Sequence, residues 1–333
     1  MLRNVTGLIA DADWDHAVKL IESAPQVHLA CHIVPDGDAL GSMLALGLAL
    51  RELGKPCVAS FGDEPFTVPR LLRFLPGQDL LVPPAEVPEA PRVMFTFDAA
   101  SAERLGALAA KAAKAEELVV VDHHRSNTGF GSLHLVSPSA AATAVIVAEL
   151  IDRLGVPFTR DIATCLYVGL VTDTGSFRYS STNRAVHELA GRLVATGIRT
   201  DEIARELWDR SPFAYLPVLG AALGRAVLDR DAAGGRGMVW TYVSRADRAA
   251  HDLSYDEIEG VIDVVRRTDE AEVAVVVKED DEGAWQVSTR SKGAIDVGRA
   301  CAALGGGGHA SAAGFTSHLP VEVTIAKFRE LLA

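Results

Sequence analysis

Apolar residues in the first half of the chain fall into short runs, each closed by polar or turn-forming residues. QVHLACHIV (26–34), KPCVASFG (55–62), RVMFTFDAA (92–100), ELVVVDHH (117–124) and SLHLV (132–136) read as strands. Between the first two lies ALGSMLALGLALRELG (39–54), a helical pattern ended by Gly54, and SAERLGALAAKAAKA (101–115) predicts a helix between two later strands. Strands spaced by helices imply βαβ units and a parallel sheet, in which ligands gather at the carboxyl ends of the strands.

From Ala140 to about Asp209 the pattern turns helical, through AATAVIVAELIDRLG, DIATCLYVGLVTD, NRAVHELAGRLVATG and DEIARELWD. A further helix is expected from Ala214 to Leu228, followed by a loop over Asp231–Gly237. The last hundred residues read as strand MVWTYV, a helix with a capping box from Ser254, strand EVAVVVKE, a hairpin, strand WQVSTRS and a helix. The expected fold is α/β: an N-terminal parallel-sheet domain with helices on both faces, and a smaller mixed α/β C-terminal domain. The expected boundaries are 1–197, a helical linker over 198–230, and 231–333.

A chain of 333 residues, 49% hydrophobic, supports two such cores. Its net charge of −12 repels polyanions, so long or duplex nucleic acid is not an expected partner, and a nucleotide ligand should be small and locally held. Cys31, Cys57, Cys165 and Cys301 lie far apart with no CxxC pair, which argues against a cysteine zinc site and suits a reducing compartment. The first residues, MLRNVTGLIADADWD, lack the apolar run of a leader, and no long uncharged apolar stretch follows. The expectation is a cytoplasmic protein with no membrane partner.

Acidic and histidine clusters fall at or just beyond these elements: His32, Asp36 and Asp38 in HIVPDGDALGS, Asp98 after VMFTF, Asp122-His123-His124 after ELVVV, and Asp173 in GLVTDTGSF. Three of the four clusters sit at strand ends, where one crevice can collect them. A pair of divalent ions requires shared carboxylates plus imidazole, with positions open for water and phosphate. Asp36 and Asp38 can serve different ions, and Asp98 is the natural bridge. The oxygen-rich set favours two Mn²⁺, or Mg²⁺, over structural zinc. Four aspartates would cancel the charge of two such ions, so basic groups should come from elsewhere. In the last domain, Gly305–Gly308 and His309 follow a helix, and Ser288-Thr-Arg290-Ser291 lies on the preceding strand. The glycines permit N–H groups to converge on an anion, and Arg290 offers a fork for phosphate oxygens.

HxxPDxDxxGS, a strand-end Asp, DHH and a later Asp within GLVTDTGSF, in this order, resemble the DHH phosphoesterase superfamily. The resemblance implies one ion on His32, Asp36 and Asp98, and another on Asp38, Asp98, His123 and Asp173. It makes Asp122 a carboxylate that orients a ligand histidine and puts His124 near the phosphate, both in catalytic roles. The GGGGH run with its STRS strand resembles the DHH-associated domain, implying that Arg290, Ser291, Gly306, Gly307, Gly308 and His309 bind substrate; Arg178 in GSFRYS is a further candidate.

With the chain length, the resemblance points to the oligoribonuclease/3′-phosphoadenosine 5′-phosphate phosphatase (nanoRNase) branch, which includes enzymes acting on cyclic di-AMP or pApA. The expected substrates are di- to pentanucleotides, cyclic di-AMP or pApA, and 3′-phosphoadenosine 5′-phosphate, cleaved to 5′-mononucleotides by water activated between two metals. A homodimer is compatible with this reading. The alternatives are a RecJ-like single-strand exonuclease, a family II inorganic pyrophosphatase and, from another class, a non-catalytic nucleotide-sensing module built on a decayed site.

Overall fold

A computed structural model of the chain describes residues 9–332. The leader expectation thus falls partly on residues 1–8, outside the described residues. The chain divides into two compact units, Met1–Leu207 and Trp208–Ala333.

The first unit is built on five parallel strands, β1 (Val27–Cys31), β2 (Cys57–Phe61), β3 (Val93–Phe97), β4 (Glu117–Asp122) and β5 (Leu133–Val136), in the order β2-β1-β3-β4-β5. The strand order reverses between β1 and β3, and open parallel sheets form their ligand crevice at such a point, outside the strand carboxyl ends. β1 and β3 are buried at every residue, which explains why their sequences are continuous apolar runs rather than alternations.

Helices α1 (Asp11–Ser23), α2 (Gly37–Glu52), α4 (Thr143–Arg153) and α5 (Arg160–Asp173) share one core with the Leu29, Cys31, Phe95, Phe97, Val119 and Val121 face of the sheet. The other face, with Ala30, Met94 and Leu118, packs on a thinner layer that includes a 3₁₀ segment, Ala102–Leu108, and the short α3 (Ala109–Ala112). The single helix expected over 101–115 is therefore two pieces. Gly106 breaks it at φ 54°, because the chain there presses against Ile33 and Gly62; tertiary contact overrides the helix propensity of an Ala-rich stretch.

Helix α2 is buried from Gly37 to Leu50 and lies against both α4 and α5. Glycines make that approach. A Cβ on Gly41 would stand 2.5 Å from the Cys165 carbonyl oxygen, and one on Gly169 would stand 2.8 Å from Asp38 Oδ1.

The second unit is a six-stranded mixed sheet, β10-β11-β9-β8-β7-β6, made of β6 (Val227–Asp229), β7 (Met238–Val243), β8 (Val273–Glu279), β9 (Trp285–Ser291), β10 (Gly307–His309) and β11 (Ala312–Ser317). Only β7 and β8 run parallel; the other neighbours are antiparallel. The helix expected over 214–228 stops at Gly224, and Val227–Asp229 instead forms the edge strand β6. The capping box at Ser254 forms with Glu257, on a 3₁₀ turn. The glycine run is not an open loop. Gly305 and Gly306 close the helix Val297–Ala302 by hydrogen bonds to Ala302 and Cys301, while Gly307 and Gly308 enter β10. Among the described residues no helix is long and apolar enough to cross a membrane.

The glycine contacts give a stability test. Gly41→Ala forces a methyl group into backbone and is expected to cost about 1–3 kcal/mol in urea unfolding. Gly191→Ala, on the helix Arg184–Val194 with open space around it, is expected to be neutral or to stabilise by about 0.5–1 kcal/mol.

Candidate metal centre

The strands β1, β3 and β4 end on one edge of the sheet, and a candidate side chain follows each: His32 after β1, Asp98 after β3, and Asp122-His123-His124 at the end of β4. Two helix ends face them. Asp36 and Asp38 stand at the start of α2, and Asp173 is the last residue of α5. All but Asp36, Asp173 and His124 are buried.

The donor atoms form two groups that meet at Asp98. His32 Nε2 lies 3.8 Å from Asp36 Oδ2 and 3.6 Å from Asp98 Oδ2. His123 Nε2 lies 3.1 Å from Asp173 Oδ2, 3.5 Å from Asp98 Oδ1 and 3.8 Å from Asp38 Oδ2. Each of the sets His32/Asp36/Asp98 and Asp38/His123/Asp173 keeps its ligand atoms within 4.8 Å of one another. Asp98 thus turns one oxygen to each group. Its backbone is left-handed at φ 58°, a conformation that a non-glycine residue adopts at some cost and that concentrates at functional sites.

The carboxylates are held by the fold itself. Asp36 caps α2 by accepting from the Asp38 and Ala39 N–H groups at 3.0 Å with Oδ1, and turns Oδ2 to His32. Asp38 accepts from the backbone N–H groups of Thr143 at 2.6 Å and Ala144 at 2.9 Å, and from the Ser42 hydroxyl at 3.1 Å. The N-cap residue of helix α4 is Ala142, whose methyl side chain cannot accept a capping hydrogen bond; Asp38, far earlier in the chain, satisfies the first N–H groups of the helix. The Thr143 hydroxyl donates to Asp98 Oδ1 at 2.8 Å.

The imidazoles are oriented from behind. His32 Nδ1 is 2.7 Å from the Ile33 carbonyl oxygen, and His123 Nδ1 is 3.2 Å from that of Ala140. A ring nitrogen facing a carbonyl carries the proton, which leaves Nε2 to ligate.

Charge crowding shows in the titration. Burial would lower His32, but hydrogen bonds and charges from Asp36 and Asp98 outweigh it and push it up to about 10. Burial also opposes protonation of His123, and Asp173, Asp98 and Asp38 together raise it well above its ordinary value. Burial, with Asp98 and Asp173 nearby, raises Asp38 well above the carboxylate range. Asp98 is held low against its burial by the His32 hydrogen bond and the charges of His124 and His123. Protons on the imidazoles supply the positive charge that these aspartates demand. Divalent cations would supply it better, and the oxygen-and-imidazole donor set fits them.

Asp122, fully buried, is expected to orient a ligand histidine, and here the structure differs. Its Oδ1 accepts from the His123 and His124 backbone N–H groups and lies 2.7 Å from His124 Nδ1, while Oδ2 accepts from Asn127 Nδ2 at 2.6 Å. The ring it orients is His124, because Ala140 already occupies the back of His123. Arg178 lies on the surface, and its Nε donates to the Gly175 carbonyl at 2.5 Å within its own turn.

In the second unit, register decides which residues share a face. Ala312 pairs with His309 on one side and Arg290 on the other, so His309, Ala312 and Arg290 project together. Gly307, Gly314 and Ser288 form the next row on that face. Arg290 Nη1 donates to the Thr289 carbonyl at 3.0 Å, while its buried Nε has no hydrogen-bond partner among the described residues. Ser291 belongs to the opposite face, with its hydroxyl donating to Glu272 Oε1 at 2.8 Å. Strand alternation therefore removes it from the row that holds Arg290. A Cβ on Gly306 or Gly308 would collide with β11, whereas one on Gly307 would meet nothing within 4 Å.

Thr143, Ala144, Ala140 and Asn127 were not legible as site residues. The one available signal is a helix starting over Ala-Ala-Thr without a capping side chain, which leaves its first N–H groups for a distant acceptor.

Residues 26–170 match the DHH family N-terminal domain, and residues 238–333 match the DHHA1 domain. The chain is 36% identical over 291 residues to the bifunctional oligoribonuclease and PAP phosphatase NrnA of Thermus thermophilus, covering 87% of this chain and 83% of that protein. It is 27% identical to the cyclic-di-AMP phosphodiesterase GdpP of Geobacillus thermodenitrificans over 88% of this chain, but over only 45% of that longer protein. The crystal structure of an exopolyphosphatase-related protein from Bacteroides fragilis superposes with a TM-score of 0.85 at 25% identity, over 97% of this chain and 96% of that one.

Two measurements test the centre. Asp98→Ala should lower bound Mn²⁺, measured by metal analysis of the folded protein, more than Asp36→Ala or Asp173→Ala does. Metal uptake at pH 7 should release protons from the histidines, so calorimetric heats should change with the ionisation enthalpy of the buffer, and affinity should rise with pH.

Proposed function

The chain belongs to the DHH phosphoesterase family, with a DHHA1 domain at its C-terminal end, and from that membership we propose that it uses two divalent ions, Mn²⁺ in preference to Mg²⁺, to hydrolyse short oligoribonucleotides, pApA or cyclic di-AMP, and 3′-phosphoadenosine 5′-phosphate. The observation that carries the reading is the Asp98 carboxylate, with one oxygen toward His32 and Asp36 and the other toward His123. One ion would sit on His32, Asp36 and Asp98, the other on Asp38, Asp98, His123 and Asp173. When bound, such a pair acidifies water and neutralises charge developing on a phosphoryl group.

The chain's own residues supply the rest. Asp98 fixes the spacing between the two groups, and Thr143 fixes Asp98. Asp122 orients His124 through Nδ1, and the ring would hold a proton against the phosphate or its leaving oxygen. Arg290, with its buried unpaired Nε, and His309 in the same row hold a phosphate of the nucleotide across the small Ala312 and Gly314. Similarity to the Thermus protein over most of both chains favours small nucleotides as substrates, and a chain of net charge −12 gains nothing from longer strands.

The direct test is a rate comparison, with Mn²⁺, over pApA, cyclic di-AMP, a ladder of ribonucleotides and 3′-phosphoadenosine 5′-phosphate. Rates should peak at two to about five nucleotides and fall beyond; rates that climb with length, or activity on pyrophosphate alone, would replace this reading. Arg290→Ala should cost about 2–4 kcal/mol in kcat/KM with metal content unchanged. Gly307→Ala, whose Cβ would meet no protein atom within 4 Å, should impair substrate capture without lowering stability. Asp122→Asn should reduce kcat about 10–100-fold while bound metal persists.

A further inference from the structure

Beside the His32 end of the centre the chain carries a cation that no motif supplied, Arg104. Its backbone is locked in place. The Ile33 N–H donates to the Arg104 carbonyl at 2.8 Å, the Arg104 N–H donates to Ser101 at 3.2 Å, and the Ala107 N–H donates to the Gly62 carbonyl at 3.1 Å. Two glycines let this 3₁₀ segment lie flush on the ends of β1 and β2. A Cβ on Gly62 would stand 2.0 Å from the Leu105 carbonyl oxygen, and one on Gly106 would stand 2.3 Å from Ile33 Cγ2. Contacts that exclude even a methyl group fix where the side chain starts.

The guanidinium is exposed, and its Nη2 reaches to 3.3 Å from His32 Nδ1. That ring nitrogen already faces the Ile33 carbonyl at 2.7 Å, so it has no lone pair to offer a second donor. Among the described residues Arg104 forms no ion pair. Burial raises Asp63 above its ordinary value, against the Val34 N–H and the charges of His32 and Arg104, and its Oδ2 accepts from the Val34 N–H at 2.8 Å. Arg104 is thus a preplaced, solvent-facing guanidinium, one imidazole ring away from the Asp36–Asp98 carboxylates, and among the described residues it has no ion-pair partner. A guanidinium held open beside the centre can exchange its water for a phosphate oxygen. Four aspartates neutralise two divalent ions, so the incoming phosphate has no net attraction to the metals with their ligands, and a fixed charge beside them supplies it.

We propose that Arg104 binds a phosphate oxygen of the substrate on the His32 side of the centre. The inference rests on the phosphoesterase reading above, and its test is chosen to need no turnover.

The experiment compares wild type, Arg104→Gln and Arg104→Lys in the full-length Mn²⁺-loaded protein, with calorimetric binding of AMP and of inorganic phosphate, and Mn²⁺ per chain by metal analysis. The expected result is AMP and phosphate affinity weakened about 10–100-fold in Arg104→Gln, partly recovered in Arg104→Lys, with Mn²⁺ per chain unchanged. Unchanged AMP and phosphate affinity overturns the proposal. Loss of Mn²⁺ in parallel with AMP also overturns it, since Arg104 would then serve only to position His32. A wild-type protein that binds AMP but hydrolyses none of the nucleotides above would sink the functional reading and leave the Arg104 comparison intact.

Discussion

Carboxylates do not share a dry pocket unless positive charge comes with them. Asp38 and Asp98 are buried within reach of His123, which also meets Asp173, and Asp98 meets His32 as well. Much of the first unit's architecture answers this crowding. Asp38 survives because the start of α4 turns two N–H groups and Ser42 turns a hydroxyl toward it. Asp98 survives because Thr143 and the imidazoles surround it. Removing such a set of donors would leave buried charge unmatched, which is why the carboxylates and the helix ends behave as one structure.

The helix packing follows from the same demand. For Asp38 to meet the start of α4 and lie near the end of α5, α2 must approach both closely, and Gly41 and Gly169 remove the atoms that would keep them apart. The strand order supplies the third side, since reversal between β1 and β3 brings the ends carrying His32 and Asp98 side by side. In the second unit the analogous device is register: small residues in β11 lie between His309 on the edge strand and Arg290 on β9.

The elements most legible in sequence were those whose two faces are both buried. β1, β3 and β4 announce themselves as apolar runs, and their terminal Asp and His residues stand out by contrast. Ala-rich 101–115 was not legible, since its propensity favours a helix that the Gly106–Gly62 contact forbids. Strands β10 (GGH) and β11 (AAGFTS) are mostly Gly and Ala, and Thr316 is the one β-branched residue in them to mark a strand. Long-range partners were hidden altogether. Nothing local says that Asp38 caps a helix beginning at Thr143, that Asp122 grips His124 rather than His123, or that Arg104 lies against His32.

Asp98 as the shared ligand is the point on which the account turns, and anomalous X-ray diffraction from Mn²⁺-soaked crystals reads it directly. The expected map has two manganese peaks about 3.5–4 Å apart, one beside His32 and Asp36, the other beside Asp38, His123 and Asp173, with a different Asp98 oxygen on each. A single peak, or two peaks of which only one touches Asp98, would contradict it.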